Sequence, residues 1–309
     1  MTTKSNRRVK RNIAVLLAAL VCMALFVAAL SNSNNMPDWN ALFKKDNSVS
    51  QTGDDVDYIR ILDVGQGDSI LIRSNGQTAV IDTGTPESAE QLISSLNGAG
   101  VQRIDVLMLS HLHMDHTGGL NRIIEEYKVV NMVLPSLTGE EEGLPAAKVA
   151  AEKVTAAAGG VFTAKQGMYM NIGDFTLTVL CYYDDFSKEN DRSIIVMAEI
   201  QGKKFLLMAD GERPLENRLL NSGINLKCDV IKAGHHGSNS SSSEKFVKAV
   251  SPKYAAISVG ANNSYKHPDG DILSLFSDNN MEIFRTDRDG DITFFVEDGE
   301  IRVELQNFK

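Results

Sequence analysis

Within Ser110-His111-Leu112-His113-Met114-Asp115-His116-Thr117-Gly118-Gly119, three of the chain's six histidines and one aspartate fall in six consecutive positions. In an extended loop, residues i and i+2 point to the same side, so His111 and His113 can share one ion. Asp115 and His116 sit where the chain turns and can face a second ion beside the first. Neutral imidazole together with carboxylate suits Zn or Mn, which gives an expectation of two divalent metal ions. A surface loop that merely happens to be rich in histidine is the bland alternative. The structural context argues against it, because multi-residue motifs in the right setting are seldom accidental.

That setting is a strand, a loop and a helix. Residues 106–109 are an apolar run that reads as a buried strand, and residues 120–127 carry the apolar spacing and acidic face of an amphipathic helix. Gly118 and Gly119 are expected to let the backbone pass close to the metals without a Cβ in the way. Upstream, residues 58–64, 69–74 and 78–82 read as strands, with Asn75-Gly76 a hairpin turn. Residues 87–100 read as a helix and 104–110 as the strand feeding the metal loop. Downstream come a strand at 129–134, an Ala-rich helix at 146–158 and a strand-like stretch at 170–181. A hairpin follows through Gln201-Gly202, then short strands at 229–233 and 254–259, and a terminal pair joined at Asp298-Gly299. This repeated β–α alternation is an α/β pattern.

His111-Leu112-His113-Met114-Asp115-His116 is the HxHxDH signature of the metallo-β-lactamase superfamily. Within it the chain resembles the C-terminal metallohydrolase domain of the ComEC competence proteins. The likeness rests on Leu62-Asp63-Val64-Gly65-Gln66-Gly67-Asp68-Ser69, Ile81-Asp82-Thr83-Gly84, the histidine cluster and Asn190-Asp191-Arg192-Ser193. It continues through Gly234-His235-His236-Gly237-Ser238, Ser258-Val259-Gly260 and Tyr265-Lys266-His267-Pro268, from about residue 58 to the end.

The resemblance implies an αββα sandwich and a set of roles. Asp82 orders the metal loop from behind, with a turn-capping aspartate as the plain alternative. Asp210 bridges the two ions, a carboxylate having two oxygens to offer. One of His235 and His236 completes the second ion, with His236 favoured, and the other faces substrate. Gln66 and Asp68 form the rim, Ser238 and its loop offer donors to phosphate oxygens, and Tyr265 and His267 lie where substrate would. The further histidine usual in the superfamily before Asp210 is missing, Asn190 standing in that region, so one site is short of a ligand and open. Asp191 is the weaker substitute, a turn residue by type. Asp115, Asp210 and His267 are therefore expected to carry catalysis, His267 through proton transfer near neutral pH.

Ahead of this domain, residues 1–12 carry five basic residues and no acid, and residues 13–30 carry no charge. Eighteen apolar residues span about 27 Å, enough for a thin membrane core. The chain is expected to use them as a transmembrane anchor with the remainder outside, a cleaved signal peptide being the rival. Residues 31–57 read as a polar linker, within which Trp39, Leu42 and Phe43 either meet the membrane surface or dock on the domain. Residues 58–309 are then the hydrolase domain. The net charge of −9 divides into +5 over residues 1–12 and −14 over the rest, which argues against a basic DNA-binding face. The three cysteines, Cys22, Cys181 and Cys228, make no metal motif and no disulfide framework.

The resulting expectation is a membrane-anchored extracellular hydrolase of a phosphodiester, with DNA as the leading substrate and protein partners undefined. With one span and no channel, it would not import DNA alone. The alternatives are a cell-surface phosphoesterase acting on wall polymers, choline-bearing ones included, or on small molecules, and a non-catalytic metal-binding surface module. A true β-lactamase is disfavoured by the missing histidine.

Overall fold

The computed structural model describes residues 39–44 and 56–306. The apolar run at 13–30, and most of the linker, lie outside the described residues. Among the described residues no helix is long and apolar enough to cross a membrane.

Two mixed sheets pack face to face with helices outside, the αββα arrangement. The first has the order β15-β14-β1-β2-β3-β4-β5-β6 and the second β13-β12-β11-β10-β9-β8-β7. In the first sheet, β1 (Tyr58–Ile61), β2 (Ile70–Ser74) and β3 (Gln77–Ile81) form a meander turned at Asn75 and Gly76, both at positive φ. β4 (Arg103–Met108), β5 (Lys128–Leu134) and β6 (Gly160–Thr163) continue it in parallel. The second sheet holds β7 (Tyr169–Ile172), β8 (Phe175–Cys181), β9 (Ile195–Ile200) and β10 (Lys203–Leu207). Parallel to β10 run β11 (Val230–Lys232), β12 (Tyr254–Ile257) and β13 (Glu282–Arg285). β14 (Ile292–Glu297) and β15 (Glu300–Leu305) return to the first sheet.

The central parallel strands β4, β5, β11 and β12 are buried along most of their length and read as apolar runs, while the edge strands β6 and β13 are more exposed and carry no such run. Between the sheets, Phe205 of β10 meets Phe294 of β14 with ring centroids 6.1 Å apart, and Phe175 joins them at 6.4 Å from Phe205. On the outer side of the first sheet, α1 (Ala89–Gly98), α3 (Leu120–Glu126) and α4 (Leu144–Ala156) bury Leu92, Leu96, Leu120, Ile123 and Ala147. The single turn α2 (Met114–Thr117) precedes α3. On the second sheet, α5 (Arg213–Asn221), α6 (Glu244–Val250) and α7 (Gly270–Asp278) bury Leu215, Leu219, Phe246, Val250 and Phe276.

Residues 170–181, read as one strand, are two, turned at Gly173 with φ +57°. The glycine permits a backbone shape that ends the ladder, a signal masked by the apolar residues on either side. The strand expected over 58–64 stops at Ile61, after which the chain leaves the ladder for the Asp63–Asp68 loop. Phe43 docks on the domain, its ring 4.7 Å from Phe162. The buried Asn131 amide pairs with the main chain of Lys44, accepting from its N–H at 2.9 Å and donating to its carbonyl at 3.0 Å. Cys181 and Cys228 are both free and buried, and burial pushes each thiol up to about 12, so neither is a reactive thiolate.

Candidate metal centre

The chemistry gathers where parallel strands end. Asp82 follows β3, the His111 loop follows β4, Asp210 follows β10, His235 and His236 follow β11, and Ser258 follows β12. Loops at the carboxyl ends of parallel strands are where α/β sheets present ligand sites. Asp82, Ala209, His235 and His236 all take positive φ, between 44° and 62°, although none is glycine. Such shapes cost about 1–3 kcal/mol each and persist only where surrounding bonds enforce them. Here the His235 N–H donates to the Ala209 carbonyl at 3.0 Å, tying two of the four together.

All six histidines meet. A chain of ring contacts runs from His113 to His111 (4.8 Å), His116 (4.1 Å), His236 (5.7 Å), His235 (6.0 Å) and His267 (5.7 Å). Three groups of side chains are close enough to hold an ion; one of them, Asp68, Asp82 and His116, is fully buried with His116 Nδ1 already bonded to Asp82, and the other two face the groove. Of those two, one is His111, His113 and Asp210; the other is Asp115, His116, Asp210 and His236. Asp210 belongs to both, its Oδ1 lying 3.3 Å from His116 Nε2 and 3.6 Å from His236 Nε2, its Oδ2 3.9 Å from His111 Nε2.

The donor set fits metal ions. His116 Nε2 and Asp210 Oδ1 are buried without any hydrogen-bond partner, although both face the same spot. Orphaned buried polar atoms are costly, and a shared cation satisfies both. His111 Nε2 and His113 Nδ1 lie 3.1 Å apart, close to the spacing of about 3.3 Å between two donors on a tetrahedral zinc with bonds near 2.0 Å. The outer nitrogens are already engaged. His116 Nδ1–H donates to Asp82 Oδ2 at 2.8 Å and His236 Nδ1–H to the Ser258 carbonyl at 2.9 Å, which aims each Nε2 lone pair inward. Asp82 is itself fixed by the Ser110 N–H (2.7 Å) and hydroxyl (2.6 Å).

Protonation tells the same story. Burial opposes charge on His116, yet Asp210 and Asp82 outweigh it and raise its pKa well above the ordinary imidazole value. His236, also buried, is raised by Asp210 and Asp115. Burial likewise opposes the Asp210 anion, and His236 and His116 overcome it, holding that carboxyl well below its usual range. The cluster is thus a place for positive charge, which protons take when no metal does. A metal must displace the proton from each Nε2, so uptake releases protons and tightens as pH rises above 6.5 toward the raised values. Calorimetry in buffers of differing ionisation enthalpy should record about one to two protons released per chain near neutral pH.

The structure relocates several residues. Asp68, expected at the rim, is buried beneath the centre. It forms an ion pair with Lys232, which enters from β11, both side chains being only 1% exposed. Ser238 is buried in hydrogen bonding with Ser240 at 3.0 Å and does not line the groove. Gly118 and Gly119 are close-packed rather than metal-facing. A Cβ on either would lie 2.3 Å from the loop at Thr83 and Pro86. Asp191 accepts from the N–H groups of Glu212 and Leu215, which fixes the start of α5 and keeps it from the ions.

His235 is partly exposed, its Nε2 3.9 Å from Asp210 Oδ2 and its Nδ1 3.3 Å from Glu212 Oε1. Asn190 donates to the same Glu212 oxygen at 3.1 Å, while its own Oδ1 is buried without a partner. Glu212 and Lys232 were not singled out from sequence. Their partners lie 22 and 164 residues away, and no local pattern marks them.

A groove of about 700 Å³ opens over the centre. Gln66, Asp115, Asn190, Asp210, His235, His236, Tyr265 and His267 line it, with Glu87 and Glu142 on its walls. No lysine or arginine is among the described residues that do so. Burial, then His235 and His236, lower the His267 pKa, so its ring is neutral at neutral pH.

Two helix-flanked sheets carrying this donor set define the class. The chain belongs to the metallo-beta-lactamase superfamily, whose family model matches residues 62–261. Among curated proteins it is similar to ComE operon protein 3 of Bacillus subtilis, 32% identical over 76% of this chain and 32% of that one. It is similar also to competence protein ComA of Neisseria gonorrhoeae, 32% identical over 80% of this chain and 33% of that one. The chain spans about a third of the length of these relatives. Among solved structures, the metallo-beta-lactamase fold protein YhfI of Bacillus subtilis superposes with a TM-score of 0.51. It is 14% identical, over 77% of this chain and 99% of that one, a likeness of fold alone.

Proposed function

We propose that the chain is a metal-dependent phosphodiesterase that cuts DNA at the cell surface. The observation that carries this reading is the sharing of Asp210 between two imidazole-rich donor groups at the floor of an open groove. Two divalent ions bound there would activate water near neutral pH and neutralise the charge building on a phosphate in displacement. His111, His113 and Asp210 would hold one, and Asp115, His116, Asp210 and His236 the other, with Zn and Mn both compatible with these donors.

The chain's own residues do the rest. Asp82 and the Ser258 carbonyl keep His116 and His236 in the tautomer that presents Nε2. Glu212 and Asn190 orient His235 toward the groove. His267, neutral, offers a ring N–H to a leaving oxygen as a hydrogen bond. DNA is favoured by the ComEC-like motifs and by relatives named for competence. Anchoring through residues 13–30, with the domain outside, belongs to the same proposal.

The acidic groove walls favour a second reading, a surface phosphoesterase for smaller or wall-derived diesters. The two are separated by assaying the purified full chain with Mn or Zn on single-stranded DNA, duplex DNA and bis-p-nitrophenyl phosphate. Metal-dependent DNA cleavage supports the nuclease. Cleavage of the small diester alone moves the assignment to the second reading. Metal binding without any turnover contradicts both and leaves a metal-binding module.

A further inference from the structure

We infer that Tyr265 is a stacking platform that binds an unpaired nucleobase next to the scissile phosphate, an inference that rests on the phosphodiesterase reading above. The groove poses a problem for any DNA substrate. Its walls carry Glu87 and Glu142, and no lysine or arginine is among the described residues that line it. The nearby lysines, Lys266 beside Tyr265 in the chain and Lys188 paired with Glu212, are exposed and outside that lining, so counterion release is a smaller part of binding than in a basic nucleic-acid groove. A contact other than charge is then needed to hold the flanking nucleotide.

Tyr265 is the group in position. It lines the groove, and at 67% exposure it is the only aromatic among the large apolar side chains exposed in the described residues. It serves no core. Its ring lies nearly parallel to His267, 14° between planes and 5.8 Å between centroids, and His267 in turn contacts His235. The loop beneath it is fixed mainly by Asn263, with Gln66 Oε1 also accepting from the Gly260 N–H at 3.1 Å. Asn263 donates to the carbonyls of Gly260 (2.9 Å) and His267 (2.7 Å) and accepts from the His267 N–H at 3.0 Å.

An aromatic side chain with only two torsions gives up little entropy when a flat partner lies on it. Every base has a π-face, and stacking on an aromatic side chain needs the base out of a duplex. The inference therefore includes a preference for single strands and ends over duplex, and a binding constant that falls only slightly with salt.

The test uses three chromogenic diesters with one leaving group: the p-nitrophenyl esters of thymidine 5′-phosphate, of methyl phosphate and of phosphocholine. Full-length wild type, Tyr265→Ala and Tyr265→Phe are compared with Mn. The wild type should favour the thymidine ester over the methyl ester by about tenfold or more in kcat/KM, the size of a base stack. Tyr265→Ala should lose most of that ratio, through KM, and Tyr265→Phe should keep it. An unchanged ratio in Tyr265→Ala, or equal loss on all three esters, overturns the inference. A loss confined to the phosphocholine ester overturns it in favour of a cation on the ring. Should the wild type cleave oligonucleotides yet show no thymidine preference, the inference fails alone. Should it hydrolyse no diester, the phosphodiesterase reading fails and the inference with it.

Discussion

Asp210→Ala should lower metal-dependent turnover by roughly a thousandfold or more, the scale of losing the ions' contribution to a displacement. One carboxylate faces His111 through one oxygen and both His116 and His236 through the other, so a single truncation opens both donor groups. Loss of any other single donor leaves one group whole. The variant should fold, because Asp210 makes no helix cap or sheet bond and its neighbours remain packed. Metal stoichiometry by mass spectrometry and steady-state kinetics check the two halves of the prediction together. Near-normal turnover with both ions retained would exclude Asp210 as their common ligand.

Lys232→Met should be the most damaging change outside the donor set. Lys232 pairs with Asp68 and donates to the Ala209 carbonyl at 3.2 Å, one residue before Asp210. The Asp68 amide is tied to the Asp115 carbonyl at 3.1 Å, and its Oδ1 lies 3.5 Å from His236 Nδ1. This single pair thus links the loops of both sheets beneath the centre. Methionine fills the volume but leaves a buried carboxylate unpaired, which costs about 3–5 kcal/mol. Denaturant unfolding of the metal-free protein measures this directly. Adding Asp68→Leu to Lys232→Met removes the stranded charge and should recover much of the stability without recovering metal affinity. Metal affinity that follows stability back to the wild-type level would show that the pair is a fold element only.

Asp210 and Lys232 differ in how visible they are in the sequence. Asp210 and the His111 loop were legible because strand, turn and helix lie next to one another in the chain. A ligand at the end of an apolar strand has a local signature. The hairpins at Asn75-Gly76 and Gln201-Gly202 were legible for the same reason, since a two-residue turn dictates its own backbone. Lys232 and Glu212 carried no such mark. A buried lysine in Val230–Lys232 resembles any strand end until the fold brings Asp68 to it. Asp191 looked like a turn residue, and its real task, holding the first N–H groups of α5, appears only when residues 191 and 215 are adjacent. The glycines at 118 and 119 were correctly seen to permit close approach, but the partner proved to be the Thr83–Pro86 backbone and not the ions.

A titration of the metal-free full chain with Mn, while hydrolysis of single-stranded DNA is followed, tests metal-dependent phosphodiester cleavage most directly. Turnover should rise as two equivalents bind and vanish on chelation. Cleavage that persists in the chelated protein, or two bound equivalents with no cleavage of any phosphodiester, would contradict it.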